Sequence, residues 1–249
     1  MIIIKTRDEI RQMRESCRVA ARVRDELARQ VTPGMTTRAL DQQAARLIAA
    51  MGGKSAFLGY RGYPGNICLS IDDEVVHGIP SDRRIEMGQI VSLDVGVVYG
   101  GFVGDTATTV MVGVTDPEVV RLVRTTEQAL VEGIAMARTG KRLSDISSAI
   151  EMAAVRAGFS VVRDFVGHGI GRSMHEDPQI PNFGKPGHGP KLKVGMTFAI
   201  EPMVNMGGGA VEVMADGWTV LTADRKPSAH FEHTVAIGED GPEILTVAA

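Results

Sequence analysis

Cysteine is nearly absent from this chain. There are two, Cys17 and Cys68, with no CxxC pair or other zinc-type spacing. Two cysteines cannot build a disulfide framework, so the small stapled secreted folds are excluded and a reducing cytoplasm fits. Long apolar runs are missing as well; none approaches the roughly 20 residues of a membrane span. The N-terminus, MIIIKTRDE, turns charged after four apolar residues, too few for a signal peptide. Nor does one sign of charge dominate: 27 basic and 30 acidic residues leave a net charge of -3, which argues against nucleic acid as a partner of the whole chain. The arginines of RDEIRQMRESCRVAARVRDELAR are interspersed with acids and read as the solvated face of a helix. There is no short repeat, low-complexity tract or obvious linker. One domain over 1–249 is expected, and a hydrophobic content of 44% suffices for its core.

What is present alternates in blocks. Thr6 and Glu9 form a capping box, after which Ile10, Met13, Cys17, Ala20, Val23 and Leu27 recur at helical spacing up to the TPG at 32–34. A second helix fits 37–51, ended by Gly52 and Gly53. Strand patterns follow at 66–71, 89–99 and 106–113. Asp116 and Pro117 are an N-cap and first-turn pair opening a helix to about 137, and another helix fits 144–157. Strands return in SVVRDFV, MTFAIEPMV, WTVLTA and HFEHTVAIG. The Gly/Pro/Lys-rich stretch at 184–195 reads as a surface loop. Helices, strands, helices, strands: this is an α+β pattern of two similar halves around mostly antiparallel sheet.

The acids inside the strands carry the chemistry. Asp94 and Asp105 flank VGVVYGGFVG, a hairpin with glycines at its tip. A turn centred between Tyr99 and Gly100 sets 94 opposite 105, with Cβ atoms about 4.5–5.5 Å apart. Like charges there are destabilising, and buried carboxylates without a partner cost more. No lysine or arginine lies in the hairpin, so a divalent cation is the expected counter-charge; the alternative is that one acid faces solvent. Glu201 ends the apolar run TFAI before Pro202, which holds it extended. Glu232 is the acid of another strand, and strand alternation sends His233 to the opposite face. Asp94, Asp105, Glu201 and Glu232 carry four negative charges, which two divalent cations balance, with His168 as a neutral imidazole ligand. Oxygen-rich ligation with one imidazole suits manganese, iron(II), cobalt or zinc without choosing among them.

Five segments in order, HGIP (77–80), LDVGVVYGGFVGDTATT (93–109), GHGIGRSMHEDP (167–178), FAIEPM (198–203) and FEHTV (231–235), resemble the type I methionine aminopeptidases across nearly the whole chain. The resemblance implies the pita-bread fold: two pseudo-symmetric halves, a central antiparallel sheet, outer helices and a dinuclear metal site in the cleft. It implies removal of the initiator methionine from nascent polypeptide N-termini, with small second residues favoured, by a cytoplasmic monomer. By position, Asp94 looks like the chelating ligand of one metal, His168 and Glu201 like ligands of the other, and Asp105 and Glu232 like the bridges. Glu201 is also the implied proton carrier. Gly167 and Gly169 are expected to let the chain pass close to the ion. His77 and His175 match the family's two non-ligand active-site histidines. Phe57, Tyr60, Tyr63, Cys68, Met174 and Trp218 match its methionine pocket, although relatives often have cysteine at the position of Phe57 and an aromatic at that of Met174. His230 is a minor candidate for support of the site; His188, His233, Arg172, Asp177 and Cys17 are expected to be structural.

Two other readings remain. An X-Pro aminopeptidase or prolidase has a similar site but usually an extra N-terminal domain, and here the first helix starts at about residue 7. A metal-free pita-bread binding module usually shows a lost ligand, and all five ligand candidates are intact. The 33-residue separation of His168 and Glu201 leaves no room for the helical insertion of type II members. The N-terminal extension of some type I members is missing too, so ribosome docking through such an arm is not expected.

Overall fold

The computed structural model describes residues 1–248. Two helices open the chain, α1 (Arg7–Gln30) and α2 (Thr37–Ala50). After them come β1 (Lys54–Ser55), a 3₁₀ turn (Tyr60–Gly62), β2 (Cys68–Ile71), β3 (Glu74–Val76), β4 (Ile90–Tyr99) and β5 (Phe102–Met111). A second helix pair, α3 (Pro117–Met136) and α4 (Leu143–Arg156), precedes β6 (Ser160–Val161), β7 (Gly167–Gly169), β8 (Glu176–Ile180), β9 (Thr197–Ile200) and β10 (Met203–Asn205). The chain closes with β11 (Val211–Val213), β12 (Val220–Thr222), β13 (Ser228–His230), β14 (Glu232–Ile237) and β15 (Pro242–Ile244). No described helix is long and apolar enough to cross a membrane.

The helix boundaries follow their local chemistry. At the start of α1 the Thr6 hydroxyl accepts the Glu9 N–H (3.2 Å) and the Glu9 carboxylate accepts the Thr6 N–H (3.0 Å), satisfying two donors that an uncapped end would leave open. Asp116 accepts the Glu118 N–H at 2.8 Å and Pro117 occupies the first turn of α3.

The central sheet runs β1-β4-β5-β14-β9-β7-β8, with β2 also on β4 and β15 also on β14. Each pairing is antiparallel. Smaller sheets β13-β10-β6 and β11-β12-β3 flank it. One apolar core forms where α1 and α2 cover β2 and β4, around Leu27, Leu40, Leu69 and Leu93. A second forms where α3 and α4 cover β9, β10 and β14, around Leu122, Ile146, Phe198 and Val235. Each fully buried aliphatic side chain contributes about 1.5–3 kcal/mol relative to exposure. The two halves meet at the β5–β14 seam, where Glu232 pairs with Ala107 and His233 with Thr106. There the Thr234 hydroxyl donates to the Asp105 carbonyl (2.8 Å) and accepts the Asp105 N–H (3.2 Å). This is the α+β pita-bread architecture, with its cleft at the seam.

Several strands differ from the sequence reading. MTFAIEPMV is two strands, broken at Glu201-Pro202, because proline has no N–H for the ladder. HFEHTVAIG likewise divides at Phe231, and SVVRDFV shortens to Ser160–Val161. The hairpin register is corrected. Tyr99 pairs with Phe102, so Asp94 lies opposite Ala107 and Asp105 opposite Gly96. The turn is the two-residue Gly100-Gly101, with φ of 58° and 81°, as a type I′ hairpin requires. The two aspartates therefore share a face as diagonal neighbours. That spacing is about 7–8 Å between backbones, wider than direct opposition and with room for an ion between the side chains.

Candidate metal centre and cleft

Side chains from both halves converge on one cavity of about 270 Å³. It is lined by Asp94, Asp105, His168, Glu201 and Glu232, by His77 and His175, and by Phe57, Tyr60, Tyr63, Cys68, Met174 and Trp218. All the candidate ligands, the two active-site histidines and the pocket candidates of the sequence reading thus face the same space, while the minor candidate His230 does not line it. Arg61, Val76, Phe165 and Val166 line it too, and the sequence reading did not anticipate them. Nothing in the strand pattern marks Phe165, because only the fold carries it to the edge of the His77 ring, 5.5 Å between centroids.

The acids sit where strands from the two halves adjoin: Asp94 on β4, Asp105 on β5, Glu232 at the start of β14 and Glu201 just after β9. Asp105 is 4% exposed and Glu232 is 2% exposed. One oxygen each of Asp94, Asp105 and Glu232 is buried with no hydrogen-bond partner. An orphaned buried carboxylate oxygen is costly, and three around one cavity call for a cation. Burial pushes the Asp94 carboxyl up to about 7. Burial first, then the neighbouring acids, holds Asp105, Glu201 and Glu232 well above the ordinary carboxylate range.

His168 is set up as a ligand. Its Nδ1–H donates to the Gly169 carbonyl at 2.9 Å, which leaves the Nε2 lone pair for a metal. Nε2 lies 3.6 Å from Glu201 Oε1 and 3.9 Å from Asp105 Oδ2. Burial, then the nearby His175, lowers its pKa to about 3, so the ring is neutral, as ligation needs. Asp105, His168 and Glu232 each offer one atom, all within 4.8 Å of one another, close to twice a metal–ligand bond of about 2.1 Å. The donor set fits a divalent cation.

The glycines on either side of His168 allow close backbone approach. A Cβ on Gly167 would lie 2.5 Å from the Ala199 carbonyl oxygen, and one on Gly169 would lie 2.1 Å from that of Asp177. They make room for the backbones beside β7.

His77 and His175 stand around the acids. His77 has φ of 61°, a strained conformation for a side-chain-bearing residue. Its ring is edge-on to Phe165 and Trp218, and burial, then His175, lowers its pKa to about 4. His175 Nδ1 is 2.9 Å from the Tyr60 hydroxyl, and its ring centroid is 4.2 Å from that of His168. Its pKa is lowered by burial and then by the Arg61 charge. His230 gains weight: it is 1% exposed, its Nε2 has no hydrogen-bond partner, and that atom lies 3.8 Å from Glu201 Oε2. His233 turns away and bonds Thr246 Oγ1 through Nδ1 at 2.8 Å. His188 bonds the Pro186 carbonyl in the exposed loop. Asp177 pairs with the amino terminus, and the Arg172 guanidinium lies 4.2 Å over the Phe102 ring.

A family model for metallopeptidase family M24 matches residues 11–239. The methionine aminopeptidase of Clostridium perfringens is 49% identical over 247 residues, covering 99% of each chain. Methionine aminopeptidase 1 of Bacillus subtilis is 48% identical over 246 residues, again 99% of each. The crystal structure of methionine aminopeptidase from Rickettsia prowazekii superposes with a TM-score of 0.97 at 41% identity, covering 99% of this chain and 100% of that one. A prolidase from Pyrococcus furiosus has a TM-score of 0.81 at 24% identity, and the match spans 66% of its length; that likeness shows the fold alone. From these matches and the cavity they accompany, the chain belongs to metallopeptidase family M24.

Proposed function

We propose that the chain is a metal-dependent methionyl aminopeptidase. It removes the N-terminal methionine from peptides and nascent proteins, favouring small second residues. The observation that carries this reading is that one cavity is lined both by orphaned buried carboxylates and by the apolar and aromatic side chains Phe57, Tyr63, Cys68, Met174 and Trp218. Aromatic and sulfur-bearing groups suit a flexible, polarisable thioether. The naming of the relatives above supports the same activity. Residues 1–249 act as a single catalytic domain, a cytoplasmic monomer working on nascent N-termini.

Asp94, Asp105, His168, Glu201 and Glu232 would hold two divalent cations, whose charge balances the four carboxylates. Bound there, such cations supply Lewis acidity, acidifying water and polarising a carbonyl. Glu201 takes the proton of the attacking water and delivers it to the departing amine. With the Tyr60 hydroxyl donating to Nδ1, His175 carries its proton on Nε2 and donates it to the oxygen that gains negative charge. His77, held neutral, orients the peptide nitrogen. Phe165 and Trp218 pack around His77 and limit water beside the scissile bond.

The test is hydrolysis of Met-Ala-Ser and Ala-Pro peptides by metal-stripped protein titrated with manganese, iron(II), cobalt or zinc. The methionyl peptide is expected to be cut once metal is added. Failure with every metal overturns the reading, and cleavage of the prolyl peptide alone replaces it with a prolidase-like one.

A further inference from the structure

Lys5 is the only lysine or arginine among the described residues that is buried, at 6% exposure. Its ammonium pairs with the Glu176 carboxylate, and the two side chains are 4% and 6% exposed. The backbone around it is anchored. The Lys5 N–H bonds the Gly195 carbonyl (2.7 Å), and the Gly195 N–H bonds the Ile237 carbonyl at the end of β14 (2.9 Å). On the other side, Glu176 Oε1 accepts the Arg172 N–H at 3.0 Å. That bond closes the 172–176 turn, whose inner residues Met174 and His175 line the cavity. Gly171 lets the pair meet, since a Cβ there would lie 2.6 Å from Lys5 Cε and 2.5 Å from Glu176 Oε1.

A desolvated ion pair adds little net stability over a well-packed apolar one, whereas losing one partner strands the other charge in the interior. The value of such a pair lies in geometry. We infer that Lys5 is a positioning residue for peptide cleavage: through Glu176 it fixes the turn that presents His175 and Met174 to the substrate. The N-terminal segment is thereby a strap on the active site. This rests on the peptidase reading above.

The test uses the manganese-loaded full chain, with Met-Ala-Ser hydrolysis, manganese calorimetry and thermal melting. Lys5→Met keeps the aliphatic stem and removes the charge. It is expected to lower kcat about tenfold or more, because displacement of a reacting group by about 1 Å costs on that scale. Manganese affinity stays within about twofold, because no candidate ligand moves with the turn. The double variant Lys5→Met/Glu176→Gln, which leaves no stranded carboxylate, recovers thermal stability but not kcat, because the pair that fixes the turn is still missing. An unchanged kcat in Lys5→Met overturns the inference. So does a loss that manganese affinity shares in step, or one that the double variant recovers. Should Lys5→Met fail to fold, Glu176→Asp keeps both charges, shortens the reach and is read by the same criteria. An inactive wild-type enzyme counts against the peptidase reading; an active wild type with an equally active Lys5→Met counts against Lys5.

Discussion

Stripped of divalent cations, this protein should lose stability as pH rises through neutrality. Burial holds Asp94 up to about 7, and burial with repulsion from neighbouring acids holds Asp105, Glu201 and Glu232 well above their ordinary range. In the unfolded chain such groups ionise near pH 3.9–4.3. Above that, the folded metal-free protein keeps protons that the unfolded chain has released. Stability then falls with rising pH, by about 1.4 kcal/mol per pH unit for each retained proton, and about 2.7 kcal/mol for two. The buried histidines act in the opposite sense. His168 and His230 titrate at about 3 and His77 at about 4, so they stay neutral in the fold while the unfolded chain takes up protons below about pH 6.5. Their contribution makes stability rise with pH, and it is nearly complete by about pH 7. The interval from about pH 7 to 8 therefore isolates the carboxylates. The assay is urea unfolding in chelator across that interval, with Glu232→Gln beside the wild type. The wild type should lose stability across it, and the variant, which lacks one of the raised carboxyls, should lose less. Wild-type stability that is flat or rising there would refute the claim that the acids are buried together without a counter-charge.

Other outcomes follow from the same geometry. Asp105→Asn should abolish manganese binding in calorimetry together with peptide hydrolysis, since Asp105 joins His168 and Glu232 in a group whose donor atoms lie within 4.8 Å of one another. His175→Ala should leave manganese affinity nearly intact while kcat falls about 10²–10³-fold, the usual loss for an acid–base or oxyanion group; parallel loss of metal would show that His175 is a ligand. Arg61→Gln removes the charge that helps keep His175 neutral, so the acid limb of a kcat/KM profile should move to higher pH. Gly96→Ala sets a Cβ 2.5 Å from Phe57 Cε1 and 2.8 Å from Met174 Cε. KM for methionyl peptides should rise while manganese affinity holds.

The candidate ligands were legible because acids stand out in strands that are otherwise apolar, and proline fixes the backbone before it. Helix limits were legible from caps: Thr6 with Glu9, and Asp116 with Pro117. The hairpin register was not, because two adjacent glycines allow the turn to be centred at either, and only the pairing of Tyr99 with Phe102 decides. Strands of two or three residues, such as Gly167–Gly169, are too short for alternation to show. His230 and Phe165 were undervalued because their place beside Glu201 and His77 depends on contacts between distant segments. Lys5 looked like the end of an apolar tail; its burial arises from a glutamate 171 residues away.

The central claim is that Asp94, Asp105, His168, Glu201 and Glu232 together grip paired cations. Anomalous scattering from manganese-soaked crystals tests it most directly. Two peaks about 3.5–4 Å apart, each within bonding distance of these side chains, are predicted. An ordered cleft with no peak among the carboxylates would contradict the account.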